Sequence, residues 1–239
     1  MKRALVTGGS GDLGGAIARR LAREGLHVVV HANARIEAAQ AVVDAILADG
    51  GSAEAVAFDV TDAKGSAAAL ESLLDAGPVQ VLVNNAGIHD DAVFPGMRAE
   101  QWHRVIDVSL NGFFHVTQPL TLPMARTRWG RIISISSVAA VMGNRGQVNY
   151  AAAKGALHSA SKALSLELAS RGITVNVVAP GIIASAMADR VFDKDAIAKM
   201  VPAKRAGSAD EVAALVSFLA GPEAGYISGQ VISINGGMA

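Results

Sequence analysis

The stretch RALVTGGSGDLGGAIARRLA, residues 3–22, decides the fold of this 239-residue chain. It begins with a short β-type run, Arg3–Val6, which breaks into a segment rich in glycine. A helical pattern then extends from Ala16 to Glu24 and is closed by Gly25. A strand, a glycine turn and a helix in this order are typical of the opening unit of an α/β fold.

The glycine segment predicts a place for a phosphate group. Gly9, Gly11 and Gly14 match the pattern G-x-G-x-x-G, and the predicted strand and helix around them supply the context that this pattern requires. Without side chains, backbone N–H groups and the helix N-terminus can approach a pyrophosphate. A plain glycine-rich turn is the alternative interpretation.

The alternation of strand and helix continues along the chain. Apolar runs predict seven strands, at residues 3–6, 27–30, 53–58, 79–83, 131–136, 173–178 and 231–234. Helical patterns fall at residues 16–24, 36–47, 67–74, 102–126, from about 149 onward, and 209–219, with a polar helical patch between 181 and 200. Because parallel strands need crossover helices, the order predicts a doubly wound Rossmann fold of class α/β, with a seven-stranded parallel sheet flanked by helices on both faces. No linker or repeat divides the chain, so we expect one domain over residues 1–239.

Composition excludes several classes of function. The 21 Lys and Arg residues balance the 21 Asp and Glu residues, and no long basic run suggests a nucleic-acid or membrane partner. There is no cysteine, which excludes disulfides, thiolate catalysis and Cys-bound metal, and we expect no metal site. No secretory leader and no run of about 18 apolar residues occurs, so we expect a soluble cytoplasmic protein that acts on small molecules.

The residues after the second predicted strand, His31-Ala32-Asn33-Ala34-Arg35, bear on the choice of dinucleotide. An acidic residue there would bind the ribose 2′-hydroxyl and repel a 2′-phosphate. This chain has no acid and one arginine at that place, which favours NADP(H) over NAD(H). Arg35 could equally be a solvated charge that opens the next helix.

Tyr150 and Lys154 form a second candidate site. On a helix, residues four apart lie on one face, so the phenol and the ammonium point into the same space. A nearby cation favours the phenolate and lowers the pKa of the phenol, which prepares Tyr150 for proton transfer near neutral pH. The alternative is a half-buried aromatic residue beside a solvated helix charge.

Together these segments resemble the short-chain dehydrogenase/reductase family, along the whole chain. The matching motifs are, in chain order, Thr7-Gly8 and Gly14 of the glycine loop, Asn84-Asn85-Ala86-Gly87, Asn111 within DVSLNGFF, Ser137 thirteen residues before Tyr150, Lys154, Pro180-Gly181 and Asn235-Gly236-Gly237. The resemblance implies a Rossmann fold and reduction of a ketone by hydride from a nicotinamide.

The resemblance also implies a role for each catalytic residue. Tyr150 donates the proton, and Ser137 hydrogen-bonds the carbonyl oxygen, with Ser136 as the fallback for that role. Lys154 lowers the Tyr150 pKa and binds the nicotinamide ribose. Asn111 holds a water that links Lys154 to solvent.

Cofactor contacts follow from the same resemblance, with Asp59 and Val60 meeting the adenine. The implied contact residues are Gly8, Ser10, Gly11, Asp12, Leu13, Gly14, Asn33, Arg35, Asp59, Val60, Asn85, Ala86, Gly87, Tyr150, Lys154, Pro180, Gly181 and Ile183. Asp12 stands where the family has a glycine. Its carboxylate would repel a pyrophosphate if buried there, so we expect it to turn away and cap the first turn of the helix.

Within the family, the sequences GNRGQVNYAAAKGAL and SRGITVNVVAPG look most like 3-oxoacyl-acyl-carrier-protein reductases. Arg128 and Arg171 match positions where such reductases hold the acidic carrier protein, although an exposed Arg at a helix end is also favoured by the helix dipole. Residues 87–95 differ from the housekeeping enzymes and resemble reductases of polyene-pigment clusters. His89, in this segment, could touch substrate or be a surface histidine.

Two other functions remain open at this point. One is a short-chain dehydrogenase that acts on a sugar, a steroid or a small alcohol. The other is a non-catalytic NADP-binding regulator, although Ser137, Tyr150 and Lys154 are all present. An enoyl reductase is disfavoured because its Tyr and Lys are spaced more widely. Small residues along the helix of Tyr150 allow another helix to approach, and the resemblance implies a homotetramer.

Overall fold

The computed structural model describes residues 1–184 and 193–239, and a parallel sheet forms its centre. The seven strands are β1 (Arg3–Val6), β2 (His27–Ala32), β3 (Ser52–Ala57), β4 (Val79–Asn84), β5 (Gly130–Ile135), β6 (Ile173–Pro180) and β7 (Val231–Ile234). Their order across the sheet is 3-2-1-4-5-6-7, and every neighbouring pair is parallel. The predicted doubly wound α/β fold is confirmed.

Helices connect the strands and cover both faces of the sheet. They are α1 (Asp12–Arg23), α2 (Ile36–Ala48), α3 (Ala63–Asp75), α4 (Ala99–Ile106), α5 (Gly112–Arg126), α6 (Ala139–Met142), α7 (Val148–Leu168), α8 (Lys194–Met200) and α9 (Ala209–Ala220). Part of the polar helical patch predicted between residues 181 and 200 falls on 185–192, outside the described residues. Within the described residues, no helix is both long and apolar enough to cross a bilayer.

Two predicted helix boundaries need correction. Helix α1 begins at Asp12 rather than at Ala16, because the glycines of the loop take part in its first turn. The single helix predicted over 102–126 is divided into α4 and α5 by a wider, π-type turn, Asp107–Asn111. Such a turn adds one residue to the helical circuit and changes the direction of the side chains on it.

Alternating side chains of the strands divide the core between the two faces. In β1, Ala4 and Val6 pack into one cluster with helices α1, α2 and α9, while Leu5 packs into the other with α3, α5 and α7. Strand β2 and residues 81–83 of β4 alternate in the same way, because successive side chains of a strand point to opposite faces. Covering on both faces explains why the strands are nearly continuous apolar runs.

The order of the strands also positions the functional loops. Strand β1 lies between β2 and β4, so the chain leaves β1 and β4 toward opposite sides of the sheet. In a doubly wound sheet a crevice opens at this switch point, beyond the carboxyl ends of the strands. The loops after β1, β4, β5 and β6 therefore meet at one edge.

Candidate active site

Helix α7 carries Tyr150 and Lys154 at the carboxyl edge of the sheet. The Lys154 Nζ lies 5.9 Å from the centre of the Tyr150 ring. Lys154 is buried, and its Nζ donates a hydrogen bond of 2.9 Å to the carbonyl oxygen of Ile135, the last residue of β5. Burial lowers the pKa of Lys154 to about 8. The ammonium is therefore charged at neutral pH but held in an environment that opposes its charge.

Gly87, in the loop after β4, makes room for Lys154. A Cβ atom added at Gly87 would lie 2.7 Å from Lys154 Nζ and 3.2 Å from its Cε. A side chain at this position would force the end of the Lys154 side chain to shift. The loop after β4 and helix α7 are thus fitted to each other around the amine.

Tyr150 differs from the sequence-based expectation in its acidity. Burial raises the pKa of the phenol above its ordinary value, the negative charge of Asp91 raises it further, and a hydrogen bond with Ser137 opposes both effects. The expected direction of the net shift is therefore wrong: burial outweighs the effects that lower the Tyr150 pKa, and the Lys154 ammonium is directed to the Ile135 carbonyl. The phenol is consequently protonated at neutral pH.

Three serines near the end of β5, Ser134 and the two candidates Ser136 and Ser137, lie in different environments. Ser134 is fully buried within the strand and its Oγ has no partner among the described residues. The Ser136 Oγ donates to the Lys154 carbonyl oxygen at 3.0 Å and lies 2.7 Å from His158 Nε2. Ser137 hydrogen-bonds Tyr150 and lies in the wall of the cleft beside it. The geometry therefore favours Ser137 over Ser136 as the partner of Tyr150.

The π-type turn directs the Asn111 side chain away from the place that the prediction gave it. Asn111 is exposed, and its Nδ2 donates to Asp107 Oδ1 at 2.7 Å, so its side chain is directed along the helix surface. Ser109, two residues earlier, is buried, and its Oγ has no hydrogen-bond partner among the described residues. A Cβ atom added at Gly87 would lie 3.5 Å from Ser109 Oγ and 2.7 Å from Lys154 Nζ, so the hydroxyl and the amine face the same small space. The turn directs Ser109, not Asn111, toward the amine.

A small internal cavity adjoins Ser109. It is lined by Thr7, Val60, Asn84, Ala86, Val108, Ser109, Gly112 and Phe113. Its free space is about that of one water molecule, and a water there would give the orphaned Ser109 hydroxyl a partner. Ser109 stands two residues before Asn111 in DVSLNGFF. The periodicity of a regular helix does not show which of these two polar side chains the π-type turn directs inward.

The glycine loop after β1 is tied to the loop after β4 by a polar cluster. Thr7 Oγ1 accepts hydrogen bonds from the backbone N–H groups of Asn85 and Ala86, each at 3.0 Å. Asn85 Nδ2 donates to the carbonyl oxygens of Thr7 at 2.9 Å and Gly8 at 3.2 Å. These bonds hold the two loops together at the switch point of the sheet.

The residues of this loop fit a dinucleotide pyrophosphate. A Cβ atom at Gly14 would overlap the Gly8 carbonyl oxygen, and Gly8 itself has a φ of +62°, which favours glycine. Gly11 is the N-cap of α1 and provides no side-chain cap, so N–H groups of the first turn are available to an anion. The loop has the bare backbone that close approach of a phosphate requires.

The prediction that Asp12 caps α1 is wrong. Gly11 is the N-cap, and Asp12 is the first residue of the helix, with no side-chain hydrogen bond to the helix N-terminus. Its carboxylate is exposed to solvent, which weakens its repulsion of a bound anion. Asp12 stabilises the helix only through its position in the first turn.

The remaining predicted cofactor residues divide into two groups. The main cleft beside Tyr150 is lined by Leu13, Asn85, Gly87, Ile88, His89, Ile135, Ser136, Ser137, Tyr150, Lys154, Pro180, Gly181 and Ile183. Asn33 and Arg35 are exposed beyond the end of β2, and Asp59 is exposed with its Oδ1 accepting from Thr61 N and Oγ1, both at 2.8 Å. Val60 is buried under Gly112. These four residues lie outside the main cleft.

The main cleft continues into a wider, mostly apolar extension. Its apolar walls include Val138, Met142, Ile182, Met200 and Met238. The extension shares Ser137 and Tyr150 with the main cleft. His89 and Asp91 stand at the junction: the two side chains are 3.3 Å apart, and the His89 ring centre is 6.4 Å from that of Tyr150. His89 therefore lies within the site rather than on a remote surface loop.

Arg128 and Arg171 lie at the other end of the sheet. Arg128 precedes β5, Arg171 precedes β6, and Arg128 Nη2 donates to the Ser170 carbonyl oxygen at 3.4 Å, so the two arginines are neighbours. Helix α7 runs from Tyr150 back toward this end and spans about 30 Å at 1.5 Å per residue. Within one chain, the basic pair and the main cleft therefore occupy opposite ends of the sheet.

Comparison with known proteins places the chain among closely similar sequences. The family model described as short chain dehydrogenase matches residues 2–196. The protein named 3-oxoacyl-(acyl-carrier-protein) reductase FabG of Aggregatibacter actinomycetemcomitans is 46% identical over 236 residues, which cover 98% of this chain and 98% of that protein. The protein of the same name from Staphylococcus aureus (strain Mu50 / ATCC 700699) is 44% identical over 240 residues, with 99% and 98% covered. Nodulation protein G of Azospirillum brasilense is 43% identical over 247 residues, with 99% and 98% covered.

Proposed function

We propose that this chain, which belongs to the short-chain dehydrogenase family, reduces the ketone of a 3-oxoacyl thioester carried by an acyl carrier protein, with NADPH as reductant. Family membership confirms the resemblance inferred from the motifs, and members of this family are oxidoreductases that depend on a nicotinamide cofactor. The observation that carries the proposal is the protonated Tyr150 phenol, hydrogen-bonded to Ser137, in a cleft that opens into an apolar extension.

Each residue of the main cleft has a proposed task in the reduction. The bound nicotinamide supplies the hydride. Ser137 Oγ donates a hydrogen bond to the substrate carbonyl oxygen and stabilises the negative charge that develops there. Tyr150 Oη gives its proton to the same oxygen, for which its raised pKa keeps the phenol protonated at neutral pH.

Lys154 and Ser109 support this proton transfer. The charged Lys154 ammonium stabilises the phenolate that Tyr150 becomes after it has given up its proton. Among the described residues, Lys154 Nζ donates to the Ile135 carbonyl alone. Its remaining N–H groups can therefore donate to a ribose hydroxyl. We assign to Ser109 the role expected of Asn111, namely holding an internal water through which the pair regains a proton.

The choice of NADPH rests on the residues beyond β2. Asn33 and Arg35 are exposed at the edge where an adenosine ribose would lie, and no acidic residue stands between them and the strand. A cation and an amide at this edge favour a 2′-phosphate, whereas NAD-binding sites place a carboxylate there.

The choice of an acyl substrate rests on the apolar extension and on the similar proteins. Met142, Met200 and Met238 are flexible side chains that adapt to a flexible hydrocarbon chain. Two of the similar proteins are named as 3-oxoacyl-carrier-protein reductases and are 46% and 44% identical to this chain.

Docking of the carrier at Arg128 and Arg171 has a geometric consequence. Because this basic pair lies at the opposite end of the sheet from Tyr150, a carrier bound there would serve the cleft of a neighbouring copy of the chain. The docking proposal therefore depends on the proposed tetramer. Arg128→Glu with Arg171→Glu should weaken turnover of a carrier-bound substrate and leave turnover of the coenzyme A thioester unchanged; equal losses would contradict docking.

A substrate and cofactor comparison tests the reaction itself. The purified protein is expected to oxidise NADPH in the presence of acetoacetyl thioesters, and to do so faster than NADH. Tyr150→Phe removes the proton donor and should abolish turnover while NADPH binding persists. A preference for NADH would refute the cofactor assignment, and turnover by Tyr150→Phe within tenfold of wild type would refute the proton-donor assignment.

A further inference from the structure

His31 is a buried imidazole at the carboxyl end of β2, beside the glycine loop. It is 2% exposed, and both ring nitrogens are within hydrogen-bond distance of backbone groups. The Nδ1 atom accepts from the Gly8 N–H at 3.0 Å, and the Nε2 atom lies 2.8 Å from the Phe58 carbonyl oxygen. One side chain thus connects the loop after β1 with the chain that leaves β3.

The chemistry of the two partners determines the protonation state of the ring. A backbone N–H can only donate, so Nδ1 must be unprotonated; a carbonyl can only accept, so Nε2 must carry the hydrogen. The arrangement is satisfied by the neutral Nε2–H tautomer and by no other form. A cationic ring would set an N–H at Nδ1 against the Gly8 N–H, and neither donor would have an acceptor in the other.

The surroundings of the ring agree with a neutral imidazole. The Phe58 ring packs against it with ring centres 4.2 Å apart, and the loop presents the uncharged Gly8 backbone to it. Asp59, which follows Phe58, is the charged group whose field reaches His31, and it favours the cation. Burial outweighs both the hydrogen bond to the Phe58 carbonyl and that field, each of which raises the pKa, and the net effect is a lowered His31 pKa.

Gly8 is a critical point of attachment for the loop. Its carbonyl oxygen accepts from Gly11 N at 3.2 Å and from Asn85 Nδ2 at 3.2 Å, and a Cβ at Gly14 would overlap it. Its N–H is held by His31 alone among the described residues. The orientation of the Gly8 peptide, and with it the N-terminal start of α1, is therefore fixed from one side by the imidazole.

We propose that His31 is a positioning residue of the dinucleotide loop, which holds the loop in its binding conformation only while the ring is neutral. Protonation of His31 releases Gly8, and affinity for the dinucleotide falls in acid. This inference rests on the proposed dinucleotide site, but the state of the ring is a property of the protein alone and can be measured without any cofactor.

The first experiment examines wild-type protein by NMR of ¹⁵N-labelled histidines, with the His31 signals assigned by their loss in His31→Gln. The expected pattern is the Nε2–H tautomer at neutral pH, with a titration midpoint below the ordinary histidine value of about 6.5. An Nδ1–H tautomer, or a midpoint at or above that value, would overturn the proposal whatever reaction the enzyme catalyses.

The second experiment measures NADPH and NADH dissociation constants from pH 5 to 8 by fluorescence, for wild type and His31→Gln. Gln can accept from Gly8 and donate to Phe58, but it does not titrate. Wild-type affinity should fall at least about fivefold more than that of His31→Gln once the pH is well below the titration midpoint found by NMR, as expected when one buried hydrogen bond is lost. Titration of the NADPH phosphate affects both proteins equally and cancels in the ratio.

His27→Gln is the matched control, because His27 is on the same strand at the opposite end of the sheet, bonded to Ser52 and Glu54. It should retain the wild-type pH profile of dinucleotide binding. Identical profiles for wild type and His31→Gln would overturn the proposal, and so would a loss of pH dependence in His27→Gln. If His31→Gln does not fold, the tautomer and the midpoint of the wild-type ring, assigned through bond correlations to its backbone, decide the question.

Discussion

Two buried nitrogen bases, His31 and Lys154, occupy the same edge of the same sheet and behave differently. Each donates to a backbone carbonyl near the end of a strand: His31 to Phe58 after β3, and Lys154 to Ile135 of β5. Burial lowers the pKa of both. His31 nevertheless is neutral at pH 7, whereas Lys154 with a pKa of about 8 is charged.

The difference lies in the starting values and in the remaining hydrogen bonds. An imidazole begins near pH 6.5 and is made neutral by a small shift, whereas an amine begins near 10.5 and keeps its charge after a large one. Both ring nitrogens of His31 are occupied by backbone, so it can only hold the loop. Among the described residues, Lys154 Nζ donates to the Ile135 carbonyl alone, and its two further N–H bonds can act on other groups. One half of the site thus depends on backbone geometry, and the other depends on a buried charge.

The largest expected effect comes from removing the buried charge. Lys154→Met should lower turnover by about 10²–10⁴-fold, because the Tyr150 phenolate loses its stabilising cation during proton transfer. Lys162→Met, an exposed lysine on the same helix, is the matched control and should keep wild-type turnover. Steady-state kinetics at saturating cofactor measure both variants, and a loss below tenfold for Lys154→Met would contradict the role of the charge.

The same charge should affect stability in the opposite direction. The pKa of Lys154 is lowered from 10.5 to about 8, so between these values the unfolded chain binds more protons than the folded protein. Stability contributed by this group therefore rises as pH increases from 8 to 10.5, and the cost of burying the charge is fully present below pH 8. Urea unfolding should show Lys154→Met to be more stable than wild type at pH 7 by up to roughly 3 kcal/mol, with the difference shrinking toward pH 10. A constant difference across this range would refute the interpretation.

The backbone half of the site should be sensitive to a single methyl group. Gly14→Ala places a Cβ on the Gly8 carbonyl oxygen and should lower the free energy of unfolding by about 1–3 kcal/mol, as overpacking does. Gly11→Ala is the matched control in the same loop, because its Cβ would lie 3.6 Å from the Gly8 oxygen, an ordinary contact. Chemical denaturation without cofactor compares the two variants. Equal losses of stability would show that the loop is not held as described.

A smaller effect distinguishes the two polar residues of the π-type turn. Ser109→Ala should lower turnover by about tenfold, the value of one hydrogen bond in a buried relay, while Asn111→Ala should change it by less than about twofold. The reason is that Ser109 is buried beside Lys154, and Asn111 is exposed and bonded to Asp107. If Asn111→Ala were the more damaging of the two, the original assignment of Asn111 would be restored.

Much of the fold could be predicted from the chain because its signals are local. Strand β1 and strand β7 have the predicted bounds, and the other strands differ by one or two residues, since buried parallel strands are continuous apolar runs. The spacing of Tyr150 and Lys154 predicted a shared helix face, and the structure places both in one cleft. These features depend on neighbours in sequence.

The most consequential errors arose where helix geometry or burial, which the sequence pattern does not show, decides the outcome. An extra residue in the helical circuit turned Ser109 inward and Asn111 outward, which periodicity cannot reveal. Burial by surrounding elements reversed the expected direction of the Tyr150 pKa shift. The hydrogen bonds of His31 were not predicted because its partners, Gly8 and Phe58, are 23 and 27 residues away.

The sequence by itself determined the family, the parallel α/β sheet and the spacing of Tyr150 and Lys154, because strand runs, glycine turns and helical periodicity are properties of short segments. The tertiary structure alone decided which polar side chains face one another, which serine contacts Tyr150 and which protonation state each buried base adopts. Those outcomes depend on desolvation and on hydrogen-bond partners from other strands, and both exist only after the loops have met at the edge of the sheet.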